Sequence, residues 1–190
     1  ASGATNTGDG TERMRIDSNG NVLIGRTSTI SGGSNTSTGT HINSNGLFQC
    51  AVNGDTCLAL QRLNSNGDII QFRKGTTLVG SIAVNNSNTS YNTSSDYRLK
   101  ENVTAISDGI TRLKTLKPSR FNFKVDKDTT VDGFLAHEVT AVPEAITGTK
   151  DEVDSDNNPV YQGIDQSKLV PLLVAAVQEL IGKVEALEAA

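Results

Sequence analysis

The closing stretch "DQSKLVPLLVAAVQELIGKVEALEAA" limits the fold more than any other part of the chain. Val170, Leu173, Val177, Leu180, Val184 and Leu187 recur in alternating steps of three and four, the a/d spacing of a helix that needs a partner along one side. A coiled-coil helix is expected over 165–188, with Asp165 as its N-cap and Pro171 bending or delaying the first turn. Self-association is the leading expectation for such a seam; the alternative is an amphipathic helix packed on its own domain. Val at a with Leu at d leans by itself towards two strands rather than three. The seam therefore predicts an oligomer without fixing its number.

Upstream, the composition changes abruptly near residue 95. Of the 17 asparagines 13 precede that point, as do 13 of the 18 glycines, whereas all four prolines (118, 143, 159 and 171) follow it. The expected division is a β-rich part at 1–93 and an α+β part at 94–190 ending in the helix. In the first part "RIDSNGNVLIG", "HINSNGLFQC" and "RLNSNGDIIQF" each place an apolar residue, then Asp or Asn, before Ser-Asn-Gly. Asn-Gly suits a type I′ turn and the flanking Ile, Val, Leu and Phe suit strands, so each copy is expected to be a hairpin. Hairpins are marginal alone and few aromatics are present to fill a core. Pairing between chains, as in an intertwined fibre, is the economical solution; an ordinary small β-domain is the alternative. The segment "NNSNTSYNTSS" then reads as an exposed linker or arm.

The second part mixes periods. "DGITRLKTL" predicts one short helix ended by Pro118, and "SRFNFKVD" a strand with Phe121, Phe123 and Val125 inward. A turn is expected at Asp132-Gly133 and an acidic loop at "TKDEVDSDNNPVYQGI". Asp151, Glu152, Asp154 and Asp156 lack the fixed glycine and closing glutamate of a calcium loop, so no metal is expected.

Several classes are disfavoured. Net charge is −4 with mixed signs and no basic cluster follows a groove-sized element, so nucleic-acid binding is not expected. No apolar run reaches membrane-spanning length, and "ASGATNTGDG" lacks the charged start and apolar centre of a signal peptide, although residue 1 looks like a cut from something longer. Cys50 and Cys57 have neither metal-knuckle spacing nor disulfide density, so both are expected as buried thiols of a protein made in a reducing compartment. His41 is expected at the surface and His137 as a satisfied structural histidine. No phosphate loop, dinucleotide fingerprint or zinc spacing appears, and no cofactor is expected.

One chemical possibility remains, in "NTSSDYRLKEN" at 92–102. A Ser/Lys pair can act without histidine, because a desolvated lysine loses its proton near neutral pH and then accepts one from a serine hydroxyl. Ser95 and Lys100 are five residues apart. Taken alone, that spacing is common and carries little weight.

The succession "SSDYRLKENV", "DGITRLKTLKPSRFNF", "VDGFLAHEV", "VPEAITG" and "YQGIDQSKLVPLLVAAVQEL" resembles the C-terminal intramolecular chaperone domain of phage tailspikes, endosialidases and tail fibres, from about Ser94 to about Leu187. The upstream "ERMRIDSNGNVLIG" is similar to the β-rich repeats that precede this domain in tail fibres. The resemblance implies a homotrimeric virion protein of the phage tail, assembled in the host cytoplasm. Its C-terminal domain directs trimerisation of the fibre and then cuts itself off as a single-turnover serine peptidase. It also implies an unidentified host-cell surface receptor or glycan for the fibre part.

Carried onto this chain, the resemblance makes Ser95 the nucleophile, Lys100 the base and Ser95–Asp96 the scissile bond. Attack by Ser95 on its own carbonyl needs a strained four-membered ring, whereas attack on the preceding carbonyl passes through a five-membered ring and cuts Ser94–Ser95. Attack from a neighbouring chain lifts the restriction. Ser94, Asp96, Arg98 and Glu101 are expected to position the loop, and His137 and Glu138 to assist. A lysine buried only when the trimer closes would tie catalysis to assembly, and loss of the chaperone would then trap the fibre kinetically. The competing expectation is a non-cleaving structural or receptor-binding fibre tip with an inert Ser/Lys pair; a free-standing hydrolase is disfavoured because no pocket-forming constellation is visible.

Overall fold

The computed structural model describes residues 12–30 and 38–190; the N-terminal stretch considered for a signal peptide lies outside them. The chain forms a β-rich unit up to Tyr97 and a second unit, Arg98–Ala190, which ends in a long helix. All sheets are antiparallel.

In the first unit β1 (Met14–Ile16), β2 (Val22–Ile24), β3 (Gly39–Ile42) and β4 (Phe48–Ala51) form a meander in sequence order. The first two Ser-Asn-Gly copies are its hairpin turns, but not of type I′. Ser18 and Asn19 keep negative φ and only Gly20 is positive, at 80°. The Gly20 amide donates to the Asp17 carbonyl (3.1 Å) and the Asp17 amide to the Asn21 carbonyl (3.0 Å), the pattern of a type I turn closed by a left-handed glycine. Asp17 explains the preference, since its Oδ1 accepts from the amides of Asn19 and Asn21 and its Oδ2 from the Asn21 side chain. These bonds, the Asn21 side chain first, hold the Asp17 carboxyl below its ordinary pKa. The second copy repeats the geometry through Asn43, Gly46 (φ 90°) and Leu47.

The third copy is not a hairpin. Asn64 takes positive φ itself (62°), and Arg62 folds over the loop, donating to Ser65 Oγ (3.1 Å) and to the Asp68 carbonyl (3.1 Å). The chain then enters β5 (Gly67–Lys74), which pairs with β6 (Thr77–Val84) across Gly75-Thr76. Positive φ at Gly75 alone is the type II′ arrangement. The segment expected as a linker is partly structured, since β7 (Thr89–Thr93) pairs with β6 from Val84↔Thr89 to Gly80↔Thr93.

The second unit begins its regular structure at α1 (Gly109–Leu113), the short helix expected there, and continues with the hairpin of β8 (Ser119–Phe123) and β9 (Asp126–Gly133). Asp132-Gly133 is not a turn; it ends β9, facing Arg120 and Ser119. Of the three residues expected inward only Phe121 is half-buried. Phe123 is exposed and Val125, in the turn, is 97% exposed. Phe121 and Phe123 instead meet edge to face at 5.3 Å, as their opposed ring charges favour. In the acidic loop Asp154 accepts from the amides of Asp156 and Asn158 and from the Asn158 side chain, so its oxygens serve the loop's own turn. Short strands β10 (Ile146–Thr147) and β11 (Gly163–Ile164) pair before the helix.

Asp165 caps a 3-10 turn, Gln166–Leu169, by accepting from the Ser167 amide, and α2 (Val170–Glu188) follows with Pro171 in its first turn. Proline is tolerated there because its missing N–H would be unpaired in any case. Leu169 and Leu172 join Val139, Val142 and Ala145 in the buried core. Gly109 packs on α2 so closely that a Cβ would lie 2.5 Å from the Ala176 nitrogen. No helix among the described residues is long and apolar enough to cross a membrane.

Three expectations about burial are corrected. His41 is 1% exposed rather than at the surface, because it lies on β3 and faces the side of the sheet that carries Leu23. Its Nδ1 accepts from the Ile30 amide at 3.2 Å. Cys50 is half-buried and Cys57 exposed, both as free thiols, since the unit that holds them buries few side chains.

Candidate functional site

The Ser/Lys stretch follows β7 directly. Ser94 is its last anchored residue, with its amide donating to the Val79 carbonyl (3.3 Å) and its hydroxyl to the Leu78 carbonyl (3.3 Å). Tyr97–Leu99 then form a single 3-10 turn, and Asn102 takes positive φ (53°). Every residue from Tyr91 to Ser107 is exposed. Ser95 belongs to the β-rich unit and Lys100 to the second. The backbone here has the accessibility that a cleavage reaction needs, while the single chain supplies no burial for Lys100.

The residues expected to assist lie further along. Ala136–Glu138 form another 3-10 turn. His137 is exposed rather than packed as a structural histidine, because that turn sends it outward while Val139 enters the core. The half-buried Glu138 carboxylate receives Lys117 Nζ at 2.9 Å.

Sequence inspection passes over the residue that fastens α1 to α2. Glu179 accepts from the Ile110 amide at the start of α1 (3.0 Å) and pairs with Lys183 (3.0 Å). These two donors, the backbone amide first, hold its carboxyl below the usual range. A carboxylate at a helix start satisfies an amide that no preceding turn can. The signal was present, since Leu169, Leu172, Ala176 and Glu179 continue a three-four-three step along the buried face of the helix.

The six residues of the predicted seam lie elsewhere on α2. Val170, Leu173, Val177, Leu180, Val184 and Leu187 are each at least 43% exposed, whereas Leu172 is 2% and Ala176 3% exposed. The helix thus packs on its own domain through one stripe and leaves the a/d stripe uncovered within the chain.

Residues 95–147 match the family model of the chaperone of endosialidase, Peptidase_S74. The match begins at Ser95, takes in Lys100 and the α1, β8 and β9 elements, and closes at the end of β10. The second unit therefore carries a chaperone domain of this family, as the motif order suggested. No curated protein matches the chain.

Proposed function

We propose that the chain is the end of a phage tail fibre or tailspike: a β-rich fibre segment followed by a chaperone domain that assembles it as a homotrimer and then releases itself. The observation that carries this is the position of Ser95, the first residue of the family segment, in an exposed stretch directly after the last anchored rung of the β-rich unit. The uncovered a/d stripe of α2 supplies the surface for association. Three chains joined there raise the local concentration of their β-rich parts, whose non-local pairing is otherwise slow and prone to aggregate.

In the cleavage step the Ser95 hydroxyl attacks a backbone carbonyl while Lys100, buried by assembly, takes its proton. The C–N bond breaks, the amine leaves with that proton, and water hydrolyses the resulting ester. Lys100 is fit for the role only once desolvated, so cleavage waits for association. Attack within one chain favours Ser94–Ser95 by ring size; attack from a neighbouring chain reaches Ser95–Asp96.

Denaturing electrophoresis of freshly assembled protein tests the reading. Wild type gives two fragments of roughly half the mass, and Ser95→Ala or Lys100→Ala restores a single band. An uncut wild-type band rules out autoproteolysis and leaves a non-cleaving fibre tip. Mass spectrometry of the N-terminal fragment identifies the broken bond, and sedimentation tests the trimer separately.

A further inference from the structure

The register of the β1–β4 meander places one kind of side chain on one side. Met14 pairs with Ile24 and Ile16 with Val22; Val22 in turn pairs with Ile42, and Ile42 with Phe48. Directly paired residues share a face, so these six make one continuous apolar surface. The two remaining positions on it, Thr40 and Cys50, bear no charge. Arg15, Leu23, His41 and Gln49 occupy the other side. Yet Met14, Ile16, Ile24, Ile42 and Phe48 are exposed, Ile16 to 70%.

The β-rich unit does not cover this surface with its described residues. Leu23 is its only buried apolar side chain among them, and the others fully buried, Asn21, Arg26, His41 and Ser81, are polar. Strand pairing in the meander is already completed within the chain, so what is missing is a second layer rather than a partner strand. A sheet with one bare apolar face needs such a layer to be stable.

We infer that this face packs against the same face of further copies of the chain, forming a shared core between sheets. A copy fits because its surface is equally flat, apolar and uncharged, and no charge on either side is stranded by closing the two together. A copy is also what the uncovered stripe of α2 collects in the same molecule. The inference rests on the self-assembly proposed above, not on the cleavage.

Thiol labelling of the full chain tests it, in a Cys50→Ser, Cys57→Ser background with one cysteine introduced at a time. Ile16→Cys, or Ile24→Cys should the first disturb folding, reports on the face; Ser18→Cys at the exposed turn tip is the control. In assembled protein the face position is expected to react with a maleimide at least about tenfold more slowly than the control. The protection disappears in monomers, obtained with Leu180→Glu on the α2 stripe or by dilution. Equal rates in a chain that sediments as an oligomer overturn the face assignment while self-assembly stands. Slow labelling that persists in monomers also overturns it, because the chain then covers its own face. A wild type that sediments as a monomer ends both proposals.

Discussion

Two units of similar length meet near Tyr97, and they differ in where their cores come from. The second gathers Val139, Val142, Ala145, Leu169 and Leu172 into a buried cluster and seals it with α1 against α2. The first has complete ladders but buries one apolar side chain, Leu23, among its described residues. Backbone pairing fixes the shape of a sheet, whereas apolar burial supplies most of its stability. A unit with the first and little of the second depends on something outside itself. A self-sufficient domain joined to a dependent one is the arrangement expected where the former folds first and organises the latter.

The contrast can be broken from either side. Leu172→Ala should have the largest effect, lowering the stability of the second unit by about 2–5 kcal/mol because the packed cluster cannot close over the space. Hydrogen exchange should show the loss confined to that unit at protein concentrations where α2 is unassociated; equal loss in the β-rich unit would mean that the two share a core. Gly109→Val comes next. Its side chain meets the α2 backbone rather than a movable side chain, so α1 must lift away at a cost of about 1–3 kcal/mol, measurable by denaturant unfolding.

Gly20→Ala probes the other unit. At φ 80° a Cβ adds about 1–2 kcal/mol of strain, and the turn sits on a meander with few other supports. Amide exchange at β1 and β2 should rise while that of the second unit stays unchanged. The smallest effect is expected from Glu179→Gln, through the clasp on α1. Because the folded state holds the Glu179 carboxyl below its ordinary value, its contribution is complete above the ordinary carboxylate range. It is lost as pH falls through the lowered folded value. Thermal unfolding of the variant should therefore fall below that of wild type at neutral pH and converge with it in acid.

How far the sequence revealed these features depended on whether their cause was local. The helix, its Asp165 cap and the short α1 follow from spacing within a few turns, and all three are present. The Ser-Asn-Gly motif located two turns correctly and missed their type, because Asp17 rewards negative φ at Ser18 and Asn19 with its own hydrogen bonds. In the third copy Arg62 redirects the same tripeptide, and the real hairpin lies at Gly75-Thr76. His41 looked like a surface residue because its burial depends on β2 and β3 pairing across sixteen residues of separation, from Leu23↔His41 at the near end to Ile24↔Thr40.

The candidate site was legible in part. Motif order located the family segment, and its first matched residue is Ser95. Glu179 escaped notice because a glutamate in a helix is ordinary until the amide it meets, on a helix 69 residues away in the chain, is known. The a/d stripe was visible from spacing, and what only the fold could add is that Leu169, Leu172 and Ala176 form a separate stripe spent on the domain itself.

The double anchorage of Ser94 on β6 bears on what would remain of the fibre segment afterwards. A chain severed at either bond of Ser95 ends within one residue of a closed rung, with no frayed tail beyond it. Exopeptidases degrade proteins from loose ends, so the same two hydrogen bonds that present the stretch beforehand would leave the finished end resistant to trimming.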